Sequence, residues 1–242
     1  MKEIMWNPWH GCHKYSEGCL NCYMFKFDKE RDIDSNIIYK TKDYTMPIKK
    51  DREGLYKLKS DSCVNVCLTS DFFIEEADEW RKDVWKMMKF RSDVKFILFT
   101  KRANRIKSCL PEDWGDGYPN VGIALTVENQ KRIDERMPLF LEIKASYKIA
   151  LISPMLEKVN IEKYIESSQI DEVSCSGENY NNARPCDYEW VKDLSEQCKR
   201  NNVTFKFFHT GSNFIKNGKI YHIPYNKGKE QARKAYLDYK ST

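Results

Sequence analysis

The sequence predicts an α/β fold, a (β/α) partial or full TIM-like barrel of six to seven mainly parallel strands. Three observations predict it. Short runs rich in β-branched and aromatic residues alternate with longer amphipathic stretches along most of the chain, the sign of a mainly parallel sheet. The 242-residue length suits one large domain of this class. A hydrophobic share of 41%, with 14 Tyr, 12 Phe and 6 Trp, supplies a sizeable core and excludes a disordered chain.

A short first strand is expected just before Cys12. The stretch from Asp28 to Ser62 is charged and weakly periodic, so it reads as a helix followed by an exposed excursion. Strands then follow at about Cys63–Thr69, Lys95–Thr100, Asn120–Thr126, Tyr147–Ile152, Glu172–Ser176 and Thr204–His209. Helices are expected between them at Glu75–Phe90, Ala103–Cys109, Glu128–Glu142, Ile161–Ser167 and Asp187–Asn201. In the last of these, Trp190, Val191, Leu194 and Cys198 recur at three- and four-residue spacing on one helical face. Residues 1–210 are read as the β/α domain with its N-terminal loop, and 211–242 as a basic, aromatic-rich extension packed on it. Ligand groups should gather at the carboxyl ends of the strands.

No apolar run approaches the roughly 20 residues needed to cross a bilayer, and Met1–Asn7 lacks the apolar stretch of a signal peptide. A cytoplasmic protein without a membrane partner is expected. Nine cysteines, an odd number, then read as thiols or metal ligands rather than a disulfide framework. The net charge of +5 is too mild to demand a polyanionic partner, but it is unevenly placed. Lys199–Thr242 holds ten Lys or Arg against two acids, +8 by formal count, which leaves −3 for the remainder.

Cys12, Cys19 and Cys22 form a CX6CX2C arrangement within Trp6-Asn7-Pro8-Trp9-His10-Gly11-Cys12 and Gly18-Cys19-Leu20-Asn21-Cys22-Tyr23. Three thiolates on a four-iron cluster leave one iron without a protein ligand, able to bind and reduce a small molecule. Gly11 and Gly18 directly precede the first two cysteines, where the loop must bend tightly and is expected to turn backbone N–H groups toward sulfide. The competing reading is a zinc knuckle with His10 or His13 as fourth ligand.

The segment resembles a small phage-associated family of uncharacterised radical S-adenosylmethionine-like proteins that open with a Trp-Asn-Pro, Gly-Cys, Gly-Cys, Asn-Cys-Tyr signature. The resemblance continues through Ser70-Asp71-Phe72-Phe73, Leu98-Phe99-Thr100-Lys101-Arg102, Pro119-Asn120-Val121-Gly122, Val127-Glu128-Asn129-Gln130, Asp134-Glu135-Arg136, Ala183-Arg184-Pro185 and Glu189-Trp190-Val191. It implies a barrel of the radical S-adenosylmethionine type, a 4Fe-4S cluster, S-adenosylmethionine as cofactor, and an external electron donor of flavodoxin or ferredoxin type. Relative to other radical enzymes the CX6CX2C spacing is long, and Asn21 stands where an aromatic residue is common.

Placed on such a barrel, the cluster lies at the mouth formed by the strand ends. Ser70, Asp71, Lys101, Thr126, Glu128, Ser153 and Glu178 end or follow strands and, with Tyr23, form the expected cofactor-binding set. Asp71 is expected to take the cofactor's ammonium, Lys101 its carboxylate, Glu128 or Ser153 its ribose, and Tyr23 its adenine. As helix caps, Asp71 and Glu128 have a structural alternative. Cys175 is the candidate catalytic hydrogen-atom donor, whereas Cys63, Cys67, Cys109, Cys186 and Cys198 read as buried small residues. His209 either points into the same cavity or is a hydrogen-bonded core histidine.

The substrate is unidentified by these residues, with nucleic acid ahead of peptide or small metabolite. Phe205, Phe207, Phe208, Phe214, Tyr221, Tyr225, Tyr236 and Tyr239 are interleaved with Lys206, Lys216, Lys219, Lys227, Lys229, Arg233 and Lys234, a mixture that suits a single strand. Two other functions stay open: a zinc-stabilised nucleic-acid-binding module, and a non-catalytic iron–sulfur redox sensor or partner protein.

Overall fold

The computed structural model describes residues 4–180 and 182–242 and is a mixed α/β fold. It divides into two units. The first holds Met1–His13, Phe27–Leu125 and Glu142–Tyr147, and the second Lys14–Lys26, Thr126–Leu141 and Lys148–Thr242.

In the first unit the chain runs through β1 (Ile4–Trp6), β2 (Trp9–His10), the end of α1 (Tyr23–Lys29), β3 (Tyr39–Lys40), β4 (Cys63–Val66), α2 (Asp78–Phe90), β5 (Lys95–Thr100), α3 (Ala103–Cys109) and most of β6 (Val121–Thr126). β1, β4, β5 and β6 pair in parallel in that order, with Ile4 opposite Val64, Val64 opposite Phe96 and Phe96 opposite Val121. Every residue of β6 is buried, as a strand covered on both faces requires. The core of this unit is aromatic. Trp9 lies 5.5 Å from Phe72, and Phe72 lies 5.0 Å from both Phe73 and Trp85. Two buried arginines are satisfied by backbone carbonyls: Arg81 donates to Phe72 and Ile74, and Arg91 to Pro47 and Leu58.

The first strand lies earlier than expected, at Ile4–Trp6, with the two-residue β2 directly ahead of Gly11. β4 stops at Val66 rather than Thr69 because Cys67 adopts φ +64°, which ends the pleat. The Trp-Asn-Pro signature has a structural task here. Trp6 is fully buried and donates from Nε1 to Asp43 O at 2.9 Å, Asn7 Oδ1 accepts from Thr69 N at 3.0 Å, and Trp9 Nε1 donates to Asp71 O at 3.1 Å.

The second unit contains α4 (Gln130–Leu141), β7 (Tyr147–Ile152), α5 (Glu162–Ile165), β8 (Glu172–Ser176), β9 (Cys186–Asp187), α6 (Tyr188–Arg200), β10 (Thr204–His209), β11 (Asn213–Lys216), β12 (Lys219–His222) and α7 (Tyr225–Arg233). β8 pairs in parallel with β7 on one side and β10 on the other. The two units together therefore hold the seven parallel strands at the upper end of the expected count. α6 starts where Asp187 Oδ1 accepts from Glu189 N at 2.9 Å, an N-cap bond.

Past His209 the chain forms a hairpin and a helix that the sequence reading leaves unassigned. β11 pairs with β12 antiparallel and with β9 in parallel. Phe205 and Phe207 of β10 point inward at 0% and 1% exposure, so these two belong to the core and not to a base-stacking surface. No helix among the described residues is long and apolar enough to cross a membrane.

Candidate metal centre

Gly11 and Cys12 sit at the end of β2. Gly11 has φ +93°, and a Cβ there would lie 2.4 Å from Ile37 O, so only glycine fits. Gly11 N donates to Thr69 O at 3.2 Å, Cys12 N to Ser35 O at 2.8 Å, and Ser70 Oγ to Gly11 O at 2.6 Å. His10 Nε2 lies 3.0 Å from both oxygens of buried Asp28, and His13 Nε2 lies 2.5 Å from Glu76 Oε1. Each ring is thus oriented by a carboxylate.

Asp71 stands after β4 with a fully engaged carboxylate. Phe73 N at 2.9 Å and Thr100 Oγ1 at 2.7 Å donate to Oδ1, while Lys101 N at 2.8 Å and Arg102 Nη1 at 3.2 Å reach Oδ2. That set leaves little acceptor capacity for a ligand ammonium, and Asp71 ties the end of β4 to the turn after β5. Burial opposes the charge on Arg102, but Asp71, Cys12 and Glu75 outweigh it and hold the guanidinium above its ordinary pKa. Lys101, half-buried, has no hydrogen-bond or ion-pair partner for its ammonium among the described residues and is available to an anion.

Cys19 and Cys22 lie in the second unit, in a run of tight turns that leads into α1. Cys19 N donates to Ser16 O at 2.9 Å and Cys22 N to Cys19 O at 3.4 Å, and Tyr15 N approaches Cys19 Sγ at 3.5 Å. Glu128 and Glu178 hold this loop. Glu128, fully buried, receives Gly18 N at 3.2 Å and the Ser16 hydroxyl on Oε1, and Arg136 Nη1 at 2.8 Å on Oε2. A Cβ on residue 18 would lie 3.0 Å from the Glu128 carboxyl carbon, so any larger residue would push that side chain back. Glu178 Oε2 receives Asn21 Nδ2 at 2.8 Å and Arg184 N at 2.8 Å, and Oε1 receives Arg184 Nη2 at 2.5 Å. Arg132 adds a two-pronged pair to Glu17 at 2.8 and 2.9 Å, which pulls that carboxyl down to about 2.

These contacts give the loop residues partners within the protein. The Gly11 and Gly18 N–H groups face a carbonyl and a carboxylate of the protein rather than sulfide. Glu128 and Glu178, expected on the cofactor, fasten the cysteine loop. Asn21, which departs from the usual aromatic, is one of the fastened residues. Sequence reasoning missed Arg132 and Arg136 as loop-holding residues. Arg136 stands in the Asp134-Glu135-Arg136 segment of the resemblance and Arg184 in Ala183-Arg184-Pro185, whereas Arg132 lies outside both.

Other expected residues cluster at the strand ends of the second unit. Thr126 is buried, and its carbonyl accepts from Arg136 Nη1 at 2.7 Å. Ser153 and Ser176 share a hydroxyl hydrogen bond of 2.6 Å. Tyr23 is raised in pKa by burial and by the neighbouring Cys22, Tyr225 and Tyr180. Tyr180 and Tyr225 stack at 5.2 Å, and Lys26 Nζ lies 4.5 Å from the Tyr180 ring. His209 is a core histidine: Nε2 lies 2.9 Å from Tyr225 O, and Nδ1 accepts from Gly211 N at 3.0 Å.

Cys175 is fully buried, and its thiol is pushed well up by burial and by Cys186, Cys198 and Asp238. Cys175 is the penultimate residue of β8, and its neighbour Cys198 lies on α6. Burial at this depth gives the thiol a packing role in the core.

Among the described residues no group of three or more His, Cys, Asp and Glu already stands in a metal-holding arrangement. The donor set nevertheless suits a cluster: three thiols lie within eleven residues, on a loop anchored through the residues between them. A second observation comes from Arg136. This side chain is 4% exposed and lies 5.3 Å from the Tyr15 ring, yet its Nη2 is buried with no hydrogen-bond partner. A buried orphan donor is costly unless a ligand completes it.

Over residues 2–238 the chain matches a family model described as a protein of unknown function, DUF5131. No curated protein and no solved structure matches it.

Proposed function

The chain belongs to the DUF5131 family of proteins of unknown function, and from that premise we propose that it is a radical S-adenosylmethionine enzyme with a barrel of that type. In this reading Cys12, Cys19 and Cys22 hold a 4Fe-4S cluster. The carrying observation is the cysteine loop: three thiols in eleven residues, with Ser16, Gly18 and Asn21 committed to buried carboxylates. With one iron free of protein ligands, the cluster would supply the electron that cleaves S-adenosylmethionine reductively. Arg136 contributes a buried N–H donor beside the loop, of the kind that stabilises negative charge on sulfur. Tyr23, directly after Cys22 and 39% exposed, offers an aromatic face for the adenine.

Anaerobic reconstitution followed by dithionite and S-adenosylmethionine should yield 5'-deoxyadenosine. Product no higher than in the Cys12→Ala variant contradicts the enzyme, and a cluster without product favours a redox sensor. A zinc site is the second reading, and one observation favours it. His10 and His13 each have Nε2 held by a carboxylate, the arrangement that presents Nδ1 to a metal.

A further inference from the structure

The C-terminal hairpin and last helix enclose a cleft of about 600 Å³, within the ~300–1,000 Å³ range usual for ligand sites. β11 and β12 form one wall and α7 the other, with Tyr188 at the start of α6 closing one side. The lining combines aromatic rings with cations. Phe214 meets Tyr188 edge-on at 6.5 Å, Lys216 Nζ lies 4.4 Å from the Tyr188 ring, and Tyr221 is 49% exposed. Lys227 and Lys234 complete the cationic side. Both reach Glu230, at 3.5 and 2.6 Å, so the lining holds three lysines against one carboxylate and keeps a net positive charge.

We infer that this cleft binds single-stranded nucleic acid, with a base stacked on Tyr221 and phosphates held by Lys216, Lys227 and Lys234. Two features select this ligand. An exposed aromatic face beside cations matches a base joined to a phosphate, a pairing that an acidic peptide lacks. The charge also continues past the cleft: Lys219, Lys229 and Arg233 are exposed on the same hairpin and helix, so a polymer gains contacts that a mononucleotide cannot. The inference stands apart from the cluster, since none of these residues belongs to the cysteine loop or its anchors.

The test uses the full chain and a fluorescein-labelled mixed-sequence DNA 12-mer, read by anisotropy between 50 and 200 mM salt. Tyr221→Ala should weaken binding about 10-fold, the loss of one stacked base. The triple variant Lys216→Gln, Lys227→Gln, Lys234→Gln should weaken it further and lower the salt slope by about 2, at roughly 0.7 per phosphate contact on a single strand. The milder Lys216→Gln alone should lower the slope by about 0.7 and guards against a folding defect in the triple. AMP should compete only at far higher concentration than unlabelled 12-mer, and poly-glutamate should not match the 12-mer. Wild-type affinity and slope in all three variants overturn the inference. AMP as tight as the 12-mer makes this a mononucleotide pocket, and equal binding of poly-glutamate makes it a general polyanion surface; either result also overturns it.

Discussion

Glu128 is buried at zero exposure, and its partners explain how: Arg136 pairs with one oxygen while Gly18 N and the Ser16 hydroxyl use the other. Removing one partner of such a pair strands the other. Glu128→Ala should therefore cost about 3–5 kcal/mol in urea unfolding, and hydrogen exchange of residues 15–22 should rise with it. A change under 1 kcal/mol would contradict the anchoring role. Lys148 is a second buried charge with poorer support, 4% exposed, with Nζ 3.4 Å from Leu141 O and 5.0 Å from the Phe140 ring. Burial pushes its pKa down to about 8 against a small opposing pull from Asp171. The unfolded chain, with lysine near 10.4, binds more protons between pH 8 and 10, so stability should rise with pH across that window. Lys148→Met should stabilise the protein at pH 7 by up to about 3 kcal/mol, and the gain should shrink toward pH 10. A gain independent of pH would assign the effect to packing alone.

At the scale of elements, the hairpin is the feature that binds the cleft together. β11 and β12 are joined by Asn217 and Gly218, both at positive φ (51° and 71°), the pattern of a two-residue type I′ turn. Gly218→Ala should destabilise the turn by about 1 kcal/mol and weaken 12-mer binding through displacement of Lys216 and Tyr221, as measured by the same anisotropy titration. Unaltered binding would show that the turn does not position these side chains. The Asn-Gly pair was a legible hairpin signal, passed over because the flanking residues alternate weakly and read as a basic tail. The central strands and α2, α3 and α6 were legible because their periodicity is carried by many residues. The roles of Glu128 and Glu178 were not, because a carboxylate at a strand end looks the same in sequence whether it meets a ligand or a loop. Only the fold brings Gly18 and Asn21, more than a hundred residues away in sequence, against those two side chains.

For the molecule as a whole, charge and cysteines are the two large-scale asymmetries. Three of the ten cations of Lys199–Thr242, namely Lys216, Lys227 and Lys234, line an aromatic cleft, and the three spaced cysteines lie in one eleven-residue segment. The six remaining cysteines are dispersed, and Cys67, Cys175, Cys186 and Cys198 are buried. The central claim is that the first three hold an iron–sulfur cluster. Metal and acid-labile sulfide analysis of protein purified without oxygen tests it most directly. The account predicts about four iron and four sulfide per chain, lost together in the Cys12→Ala, Cys19→Ala and Cys22→Ala variants. About one zinc per chain with no sulfide, lost when His10 or His13, whichever is the fourth ligand, is changed to Ala, would contradict it.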